Sequence, residues 1–392
     1  MAWSTLLPQT SVELSDAVQQ AGADGVSLEI RGGGSKSDFG TPDRTNAMLD
    51  MSSFSSVVDY DPAELVLTAG AGAPLAAIQA LVASENQMLA FEPFDHGPLY
   101  LRAAGAATIG GVVASGVAGS RRVSAGAVRD HLLGFKGVSG RGEAFVAGAK
   151  VVKNVTGYDL PKLICGSWGR LVALTEVTLK VLPRGRMQTT LFAKGLTPPQ
   201  AHRLMARAMA SQADVSAAAH LPALQGSLTA IRLEGFGPSV VARTSMLVAL
   251  GAPDFKLFAA EEEVAKAFWT QVRDLTPISD GRPLWRVNVP PSAGCGVVAA
   301  LEPLGAAWLF DWAGGLVWLS FEGDPAAVRA AAASAGGHAT LVAGPPELRA
   351  RVPALHPPSL GVSALEARLR HAFDPLGVFE TGRFLEGRHR AD

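Results

Sequence analysis

Three consecutive glycines, Gly32, Gly33 and Gly34, constrain this chain more than any other feature of its sequence. They follow residues 26–30, whose alternating side chains predict a β-strand. Because glycine has no side chain, successive backbone N–H groups can converge on an anion, and Arg31 and Lys36 add positive charge nearby. The pattern predicts a strand and then a loop suited to a pyrophosphate; a flexible turn is the alternative that these glycines leave open.

The standard nucleotide-binding loops do not account for this segment. A Walker A loop needs a glycine immediately before its lysine, where Ser35 stands, and the glycine spacing does not match a Rossmann fingerprint.

A second glycine loop, TIGGVVASG at residues 108–116, combines a hydroxyl, a glycine pair and small side chains on which a flat ring or a phosphate could lie. Two such loops predict one extended ligand.

Composition excludes several classes of protein. Of 392 residues, 48% are hydrophobic and 18% are charged, which indicates a globular chain of one large or two ordinary domains. The net charge of -1 provides no field that would attract nucleic acid. Two cysteines and scattered histidines cannot ligate an iron–sulfur cluster or zinc, so we expect no metal, and redox chemistry needs an organic cofactor.

Two segments bear on location. Residues 1–10 lack the basic and apolar regions of a signal peptide, so a cytoplasmic location is expected. The uncharged residues 103–120 reach the length of a membrane span, but five of them are glycine. A buried glycine-rich loop and helix is therefore the favoured interpretation of that run.

Periodicity predicts mixed α and β structure throughout. A helix is expected after Ser11 as its cap, and another over residues 75–84 with Pro74 in its first turn. The strand-like residues 171–182 end in Pro-Arg-Gly, which marks a domain boundary. Further strands and helices are predicted over residues 188–193, 199–212, 229–233, 240–250, 264–272, 315–321 and 325–334, with a last amphipathic helix over 364–373.

The order of four motifs is specific to one superfamily. RGGGS at residues 31–35, TIGG at 108–111, KNVTGYDL at 153–160 and GSWG at 166–169 together resemble the FAD-binding domain of the vanillyl-alcohol oxidase superfamily. This resemblance implies an α+β fold whose residues 1–185 form a PCMH-type FAD-binding domain.

Later motifs narrow the resemblance. PLWRVNVPP at residues 283–291, DWAGGLVWL at 311–319 and FDPLGVF at 373–379 are similar to markers of the FAD-binding E subunits of bacterial glycolate oxidase. The resemblance spans nearly the whole chain. It implies a smaller α+β cap domain for substrate or partner over residues 186–360, and a C-terminal segment, 361–392, that packs back on the FAD domain.

The resemblance also implies which residues hold FAD. Relatives that attach FAD covalently often use a histidine where this chain has Ser35 and Lys36, so we expect non-covalent FAD. The implied cofactor residues are Gly32, Gly33, Gly34, Ser35 and Lys36 at the pyrophosphate, Thr108, Ile109, Gly110, Gly111, Ser115 and Gly116 beside the pyrophosphate and isoalloxazine, Gly126 and Val128 through their backbone, and Val172 near the adenosine.

Two residues are candidates for catalysis. Tyr158 matches the Asn-x-x-Gly-Tyr-Asp pattern of related 2-hydroxyacid dehydrogenases, which implies a polar group near the flavin face; a buried tyrosine with one satisfied hydroxyl is the alternative. Arg286 could bind a substrate carboxylate through two hydrogen bonds, or it could anchor a partner subunit, since arginine is typical of interfaces.

The implied function is that of one subunit in a complex. It would oxidise glycolate or a related 2-hydroxy acid to the 2-oxo acid, with electrons passing through flavin to an iron–sulfur subunit. A second flavoprotein subunit is also expected, and contact with the inner membrane only through the complex.

Departures from the family pattern leave other functions open. The His-x-Gly-Asp-Gly-Asn-x-His metal and substrate motif of the related dehydrogenases is absent from the sequence, Val317 stands where an arginine is expected, and residues 380–383 read ETGR rather than NPGR. The alternative is a FAD-carrying assembly or electron-relay subunit whose substrate site lies on the partner flavoprotein. A self-sufficient FAD reductase of the cell-wall precursor type is disfavoured by the later motifs.

Overall fold

The N-terminal part of the chain forms three small groups of strands linked by short helices. The computed structural model describes residues 5–42, 45, 47–149, 157–222, 226–251 and 254–384. The strands of this part are Thr5–Leu6 (β1), Glu29–Arg31 (β2), Met48–Asp50 (β3), Val57–Asp61 (β4), Val66–Gly70 (β5), Gln87–Met88 (β6), Leu132–Ser139 (β7), Ala144–Gly148 (β8) and Val172–Lys180 (β9). Its helices are Ser11–Asp24 (α1), Leu75–Ser84 (α2), Ile109–Ser115 (α3), Arg122–Ala125 (α4) and Leu160–Ile164 (α5).

The strands of this part form two sheets, and β6 pairs with a later strand. A parallel sheet has the order β1-β3-β2, and an antiparallel sheet has the order β4-β5-β9-β7-β8. Helix α3 packs against β5 and β9, so the second glycine loop faces the first, which follows β2. We refer to both sheets and their helices as the FAD part.

The rest of the chain forms one large antiparallel sheet covered by helices. Its strands are Met187–Lys194 (β11), Val215–Leu221 (β12), Leu228–Gly235 (β13), Phe258–Ala259 (β14), Leu284–Asn288 (β15), Ala307–Asp311 (β16), Leu316–Ser320 (β17) and His338–Ala343 (β18), after the short Leu182–Pro183 (β10), which pairs with β6. The helices are Pro198–Met209 (α6), Gly237–Gly251 (α7), Glu262–Asp274 (α8), Gly294–Leu301 (α9), Pro325–Ser334 (α10), Pro346–Arg351 (α11) and Leu360–Phe373 (α12). The strand order is β14-β11-β13-β12-β16-β17-β15-β18.

The two faces of this large sheet have different partners. Trp285 and Val287 of β15 are buried in a core that α6, α7, α9 and α10 complete. Residues of the opposite face, such as Leu309 and Trp318, are buried with Leu99 of the FAD part and with α8. Because side chains alternate along a strand, Arg286 lies on this second face, between the sheet and the FAD part.

Local signals explain where several elements begin. Thr10, rather than the predicted Ser11, caps α1, because its hydroxyl accepts the N–H of Glu13 at 3.2 Å and Ser11 is already helical. Pro74 directly precedes α2. Residues 103–120 contain α3 between two loops, and no helix among the described residues is long and apolar enough to cross a membrane.

The segment after α12 packs on the FAD part. Val378 and Phe379 are buried with Leu14 and Val18 of α1, and the Val378 carbonyl accepts the N–H of Leu28 at 2.7 Å. The Asp374 carboxylate accepts the backbone N–H groups of Val378 at 2.8 Å and of Phe379 at 2.7 Å. This one carboxylate therefore fixes the turn that brings the segment into the core.

Replacing Asp374 by alanine should lower the free energy of unfolding by about 2–4 kcal/mol, because two buried N–H groups lose their acceptor. Urea denaturation of the protein measures the change in this free energy. Asp16→Ala is the matched control, since Asp16 is exposed on α1. Equal stability of the two variants would show that Asp374 does not hold the turn.

Candidate functional site

The two glycine loops approach so closely that side chains are excluded between them. A Cβ atom built on Gly32 would collide with the Thr108 hydroxyl, and one built on Gly33 would collide with the carbonyl oxygen of Ala106. Gly34 has a φ of +79°, in the left-handed region that glycine adopts without strain. The three glycines are therefore required by geometry and do not form a merely flexible turn.

A cavity lies along these loops. Most of the cofactor residues predicted from sequence line it, namely Gly32, Gly33, Gly34, Ser35, Lys36, Thr108, Gly110, Gly111, Ser115 and Val172. The backbone cradle and the Lys36 ammonium group fit the two phosphates of FAD.

Four predicted cofactor residues do not line this cavity. Ile109 and Val128 are buried in the core of the FAD part, because their apolar side chains turn away from the loops. Gly116 and Gly126 end α3 and α4 with positive φ angles, so a helix terminus accounts for the glycine at each position. Their direct contact with FAD remains a prediction that this cavity does not support.

Trp168 and Arg383 also line the cavity, although sequence reasoning did not assign them a role. The Trp168 ring stacks on Phe39 with 4.0 Å between centroids, and the Arg383 guanidinium donates to Glu29 at 2.9 Å. Both residues belong to quoted motifs, GSWG and ETGR, so the signal was present. The change from NPGR to ETGR keeps the arginine that borders the cavity.

Lys36 is buried beside a carboxylate that the backbone stabilises. Burial lowers the pKa of Lys36 to about 8, although the charge of Asp95 opposes this. Burial would raise the pKa of Asp95, but three backbone N–H groups, from Gly97, Gly105 and Ala107, hold it below its usual value. Lys36 therefore carries a positive charge near neutral pH inside the cavity.

Arg286 forms a second cationic centre between the large sheet and the FAD part. Its guanidinium carbon lies 5.1 Å from the centroid of the Trp312 ring, and that of Arg122 lies 4.3 Å from the same ring. Burial, and then the charge of Arg122, lowers the pKa of Arg286 to about 10. Within the described residues, neither guanidinium has an ion pair or a hydrogen bond.

Two buried polar atoms near this centre also lack partners among the described residues. They are Oδ1 of Asn288, two residues after Arg286 on β15, and Nδ1 of His96. Burial lowers the pKa of His96 well below its usual value, and the charges of Lys36 and Arg286 lower it further. His96 is thus neutral near pH 7 and lies within the influence of both cations. An unpaired arginine with vacant acceptors nearby suits an anionic ligand that carries a hydroxyl.

Tyr158 does not line the cavity. Its side chain is 92% exposed, so the alternative of a buried tyrosine is wrong; it follows Gly157, which turns the chain outward with a φ of +79° before α5. Residues 153–156 of the same motif lie outside the described residues. A role for Tyr158 near the flavin face remains a prediction.

Asp311 fastens the Trp312 turn to the FAD part. Its buried carboxylate accepts the Ser120 hydroxyl at 2.9 Å and the Trp312 N–H at 2.7 Å, and the Trp312 indole donates to the carbonyl of Gly119 at 3.0 Å. Trp312 and Ala313 adopt positive φ angles of 51° and 56°, which non-glycine residues hold only when their surroundings compensate. The ring that contacts both arginines is therefore held in place from both sides.

The Asp311 carboxyl should make stability depend on pH. Burial raises its pKa to about 7, and the hydrogen bonds from Trp312 and Ser120 only partly oppose this. The unfolded value is about 3.9, so the folded state binds the proton more tightly, and this stabilisation is lost as pH rises from about 4 through about 7.

Asp311→Asn should flatten that part of the stability profile by up to about 4 kcal/mol. Urea midpoints between pH 4 and pH 8 test this expectation, with the exposed Asp16→Asn as the control. An unchanged slope in Asp311→Asn would mean that the Asp311 carboxyl does not titrate in this range.

Comparison with known proteins identifies the class. Residues 4–148 match the family described as an FAD binding domain. A solved alkyldihydroxyacetonephosphate synthase has the same fold, with a TM-score of 0.66 at 14% identity over 95% of this chain and 76% of that one. A D-lactate dehydrogenase of Archaeoglobus fulgidus is 28% identical over 47% of this chain and 40% of its own length. The protein is an FAD-dependent oxidoreductase with an α+β, PCMH-type FAD-binding fold.

One relative matches over almost the whole chain. The glycolate oxidase subunit GlcE of Escherichia coli strain K12 is 36% identical over 375 residues, which cover 95% of this chain and 97% of GlcE. The chain therefore belongs to the family of the glycolate oxidase subunit GlcE. The predictions of family, fold class and FAD as cofactor are confirmed.

Proposed function

We propose that this chain is the FAD-binding subunit of a complex that oxidises glycolate or a related 2-hydroxy acid to the 2-oxo acid. The observation that carries the proposal is Arg286, whose guanidinium lies between the large sheet and the FAD part and forms no ion pair or hydrogen bond within the described residues, although the charge of Asp311 acts on it from a distance. A buried cation is costly unless an anion balances it, and a 2-hydroxy acid supplies a carboxylate. Because the chain belongs to the GlcE family, we expect this carboxylate to be that of glycolate or a related 2-hydroxy acid.

Each residue of the site has a separate role in such a reaction. When bound, FAD supplies the acceptor for the hydride that leaves the substrate carbon. The glycine loops and Lys36 hold its pyrophosphate, and Arg286 donates two N–H groups to the substrate carboxylate. The hydroxyl proton of the substrate passes to Nδ1 of His96. This atom is buried and neutral, and it has no hydrogen-bond partner within the described residues. The low pKa of His96 then favours release of that proton to water.

The family supports a proposal about assembly. The Escherichia coli relative is named as a subunit of glycolate oxidase, and the glycolate oxidase subunit GlcD of Bacillus subtilis is 28% identical over 48% of this chain and 39% of its own length. We propose a second flavoprotein subunit of that kind and an iron–sulfur subunit as partners. FAD is held without a covalent bond. Residues 1–185 form the FAD-binding domain, residues 186–360 form the cap domain for substrate or partner, and residues 361–392 pack back on the FAD-binding domain. The complex is cytoplasmic and meets the inner membrane only through its partners.

A second candidate is an electron-relay or assembly subunit without substrate chemistry of its own. Two sequence observations favour it: the missing His-x-Gly-Asp-Gly-Asn-x-His motif, and Val317 in place of an expected arginine. In that case the substrate would react on the partner flavoprotein, and Arg286 would serve FAD or the interface.

Anaerobic absorbance spectroscopy separates the two candidates. The FAD-loaded chain is mixed with glycolate or D-lactate, first alone and then with its partner subunits. Bleaching of the flavin in the isolated chain supports a substrate site here. A flavin that stays oxidised alone and bleaches only with the partners supports the relay function, and a folded chain that retains no FAD would contradict both.

A further inference from the structure

A second cavity, separate from the FAD cavity, lies between the FAD part and the large sheet. It has a volume of about 600 Å³ and shares no lining residue with the FAD cavity. Helix α2 and strand β6 line one side with Gln79, Val82 and Met88, and helix α8 lines the other with Lys266 and Trp269. None of the residues used so far for FAD or for the hydroxy acid lines this second cavity.

A compact ion-pair network forms the inner wall. Arg232 lies 2.8 Å from a carboxylate oxygen of Glu92 and 3.0 Å from one of Glu234, and Arg121 contacts both carboxylates. Glu92 and Arg121 come from the FAD part, whereas Arg232 and Glu234 belong to β13. Two cations and two anions balance here, so both carboxylates are already engaged and the inner wall is neutral.

Three more cations surround the mouth, and the described residues neutralise only one of them. Arg273 forms two hydrogen bonds with Asp274, at 2.7 and 2.8 Å. The Arg184 side chain donates to a neutral acceptor, the carbonyl of Gln87, and Lys266 has no ion pair or hydrogen bond within the described residues. Five cations line the cavity against its two carboxylates and Asp274, which leaves two positive charges in excess.

From this arrangement we propose that the second cavity binds an organic anion with at least two anionic groups, either a polycarboxylate or a phosphate compound. The excess charge at Arg184 and Lys266 attracts the anionic groups, and Val82, Met88 and Leu89 provide apolar surface for the carbon skeleton. Such a ligand would bridge the turn after β10 to α8. Because β10 pairs with β6, and because α2 and β6 also line the cavity, the ligand would join the N-terminal part of the chain to the large sheet. It would act as an effector or a stabilising ligand, distinct from cofactor and substrate.

Isothermal titration calorimetry of the FAD-loaded protein tests this site. Citrate and inorganic pyrophosphate serve as the two probes, at constant ionic strength, while the flavin absorbance confirms that FAD stays bound. We expect saturable binding of at least one probe, and the tighter one identifies carboxylate or phosphate as the preferred chemistry. The double variant Arg184→Gln, Lys266→Gln should weaken binding by about tenfold or more, because two charged donors are lost.

The double variant Arg203→Gln, Lys256→Gln is the matched control. Arg203 and Lys256 are both exposed and neither lines the cavity, so their removal lowers the net charge by the same two units without touching the site. Both variants should keep their FAD and their folded circular dichroism spectrum. The proposal is overturned if neither probe binds at millimolar concentration, or if the Arg184→Gln, Lys266→Gln protein binds as tightly as the Arg203→Gln, Lys256→Gln protein. Neither result depends on whether this chain oxidises glycolate.

Discussion

Replacing Arg286 by methionine should raise the KM for glycolate by about a hundredfold or more in the FAD-loaded complex, because the substrate carboxylate loses its charged donor. Methionine preserves an apolar stem beside Trp312, so packing should change little. Arg286 forms no ion pair within the described residues, and the carboxylate whose charge acts on it, that of Asp311, keeps its hydrogen bonds from Ser120 and Trp312 when Arg286 is removed. The variant should therefore be at least as stable as the parent protein in urea denaturation.

This combination of lost substrate binding and retained stability distinguishes substrate recognition from a structural role. Arg286→Lys keeps the charge but loses the planar two-donor geometry, and should give an intermediate KM. Steady-state kinetics of the assembled complex measures these values, and FAD content is recorded for each variant. Unchanged kinetics in Arg286→Met would remove Arg286 from the site and favour the relay function.

Gly33→Ala should abolish retention of FAD and lower the free energy of unfolding by about 1–3 kcal/mol, because the new methyl group overlaps the carbonyl of Ala106. The backbone atom cannot move aside without opening the two loops. Opening the loops disperses the N–H groups that face the pyrophosphate. Flavin fluorescence after gel filtration reports the cofactor, and urea denaturation reports stability.

Gly296→Ala makes a suitable comparison. Gly296 lies inside α9, and a Cβ atom there would have no heavy atom within 4 Å. Alanine favours a helix over glycine by about 1 kcal/mol, so this variant should bind FAD normally and be slightly more stable. If Gly33→Ala also kept its FAD, close approach of the loops would not be what holds the cofactor.

Local patterns predicted the glycine loops, whereas long-range packing created the second cationic centre. The strand before Gly32 and the TIGG loop can be recognised from neighbouring residues, because turn geometry acts over a few positions. Arg122, Arg286 and Trp312 come together only when the large sheet packs on the FAD part. No sequence spacing encodes that contact, so their association could not be predicted.

The sequence patterns did not predict strands β12 and β15, because neither strand carries a clear local signal. Strand β12 is buried along its whole length, so it shows no alternation of polar and apolar residues. It is also rich in alanine and contains one β-branched residue, Val215, so its composition does not indicate a strand. Strand β15 lies in a segment that the sequence marks only as a family motif. Its pairing with β17 and β18 is what places Arg286 within the large sheet. Helix α12 is longer than the predicted 364–373 and begins at Leu360, and none of its residues is buried.

The buried position of Val378 and Phe379 beside α1 has a consequence for biosynthesis. A ribosome synthesises the α1 helix early, but releases these two core residues only after the entire large sheet has been translated. The core around α1 therefore stays incomplete throughout elongation, and its apolar surface is open to chaperones during that time. Firm attachment of FAD should accordingly follow the synthesis and packing of this segment.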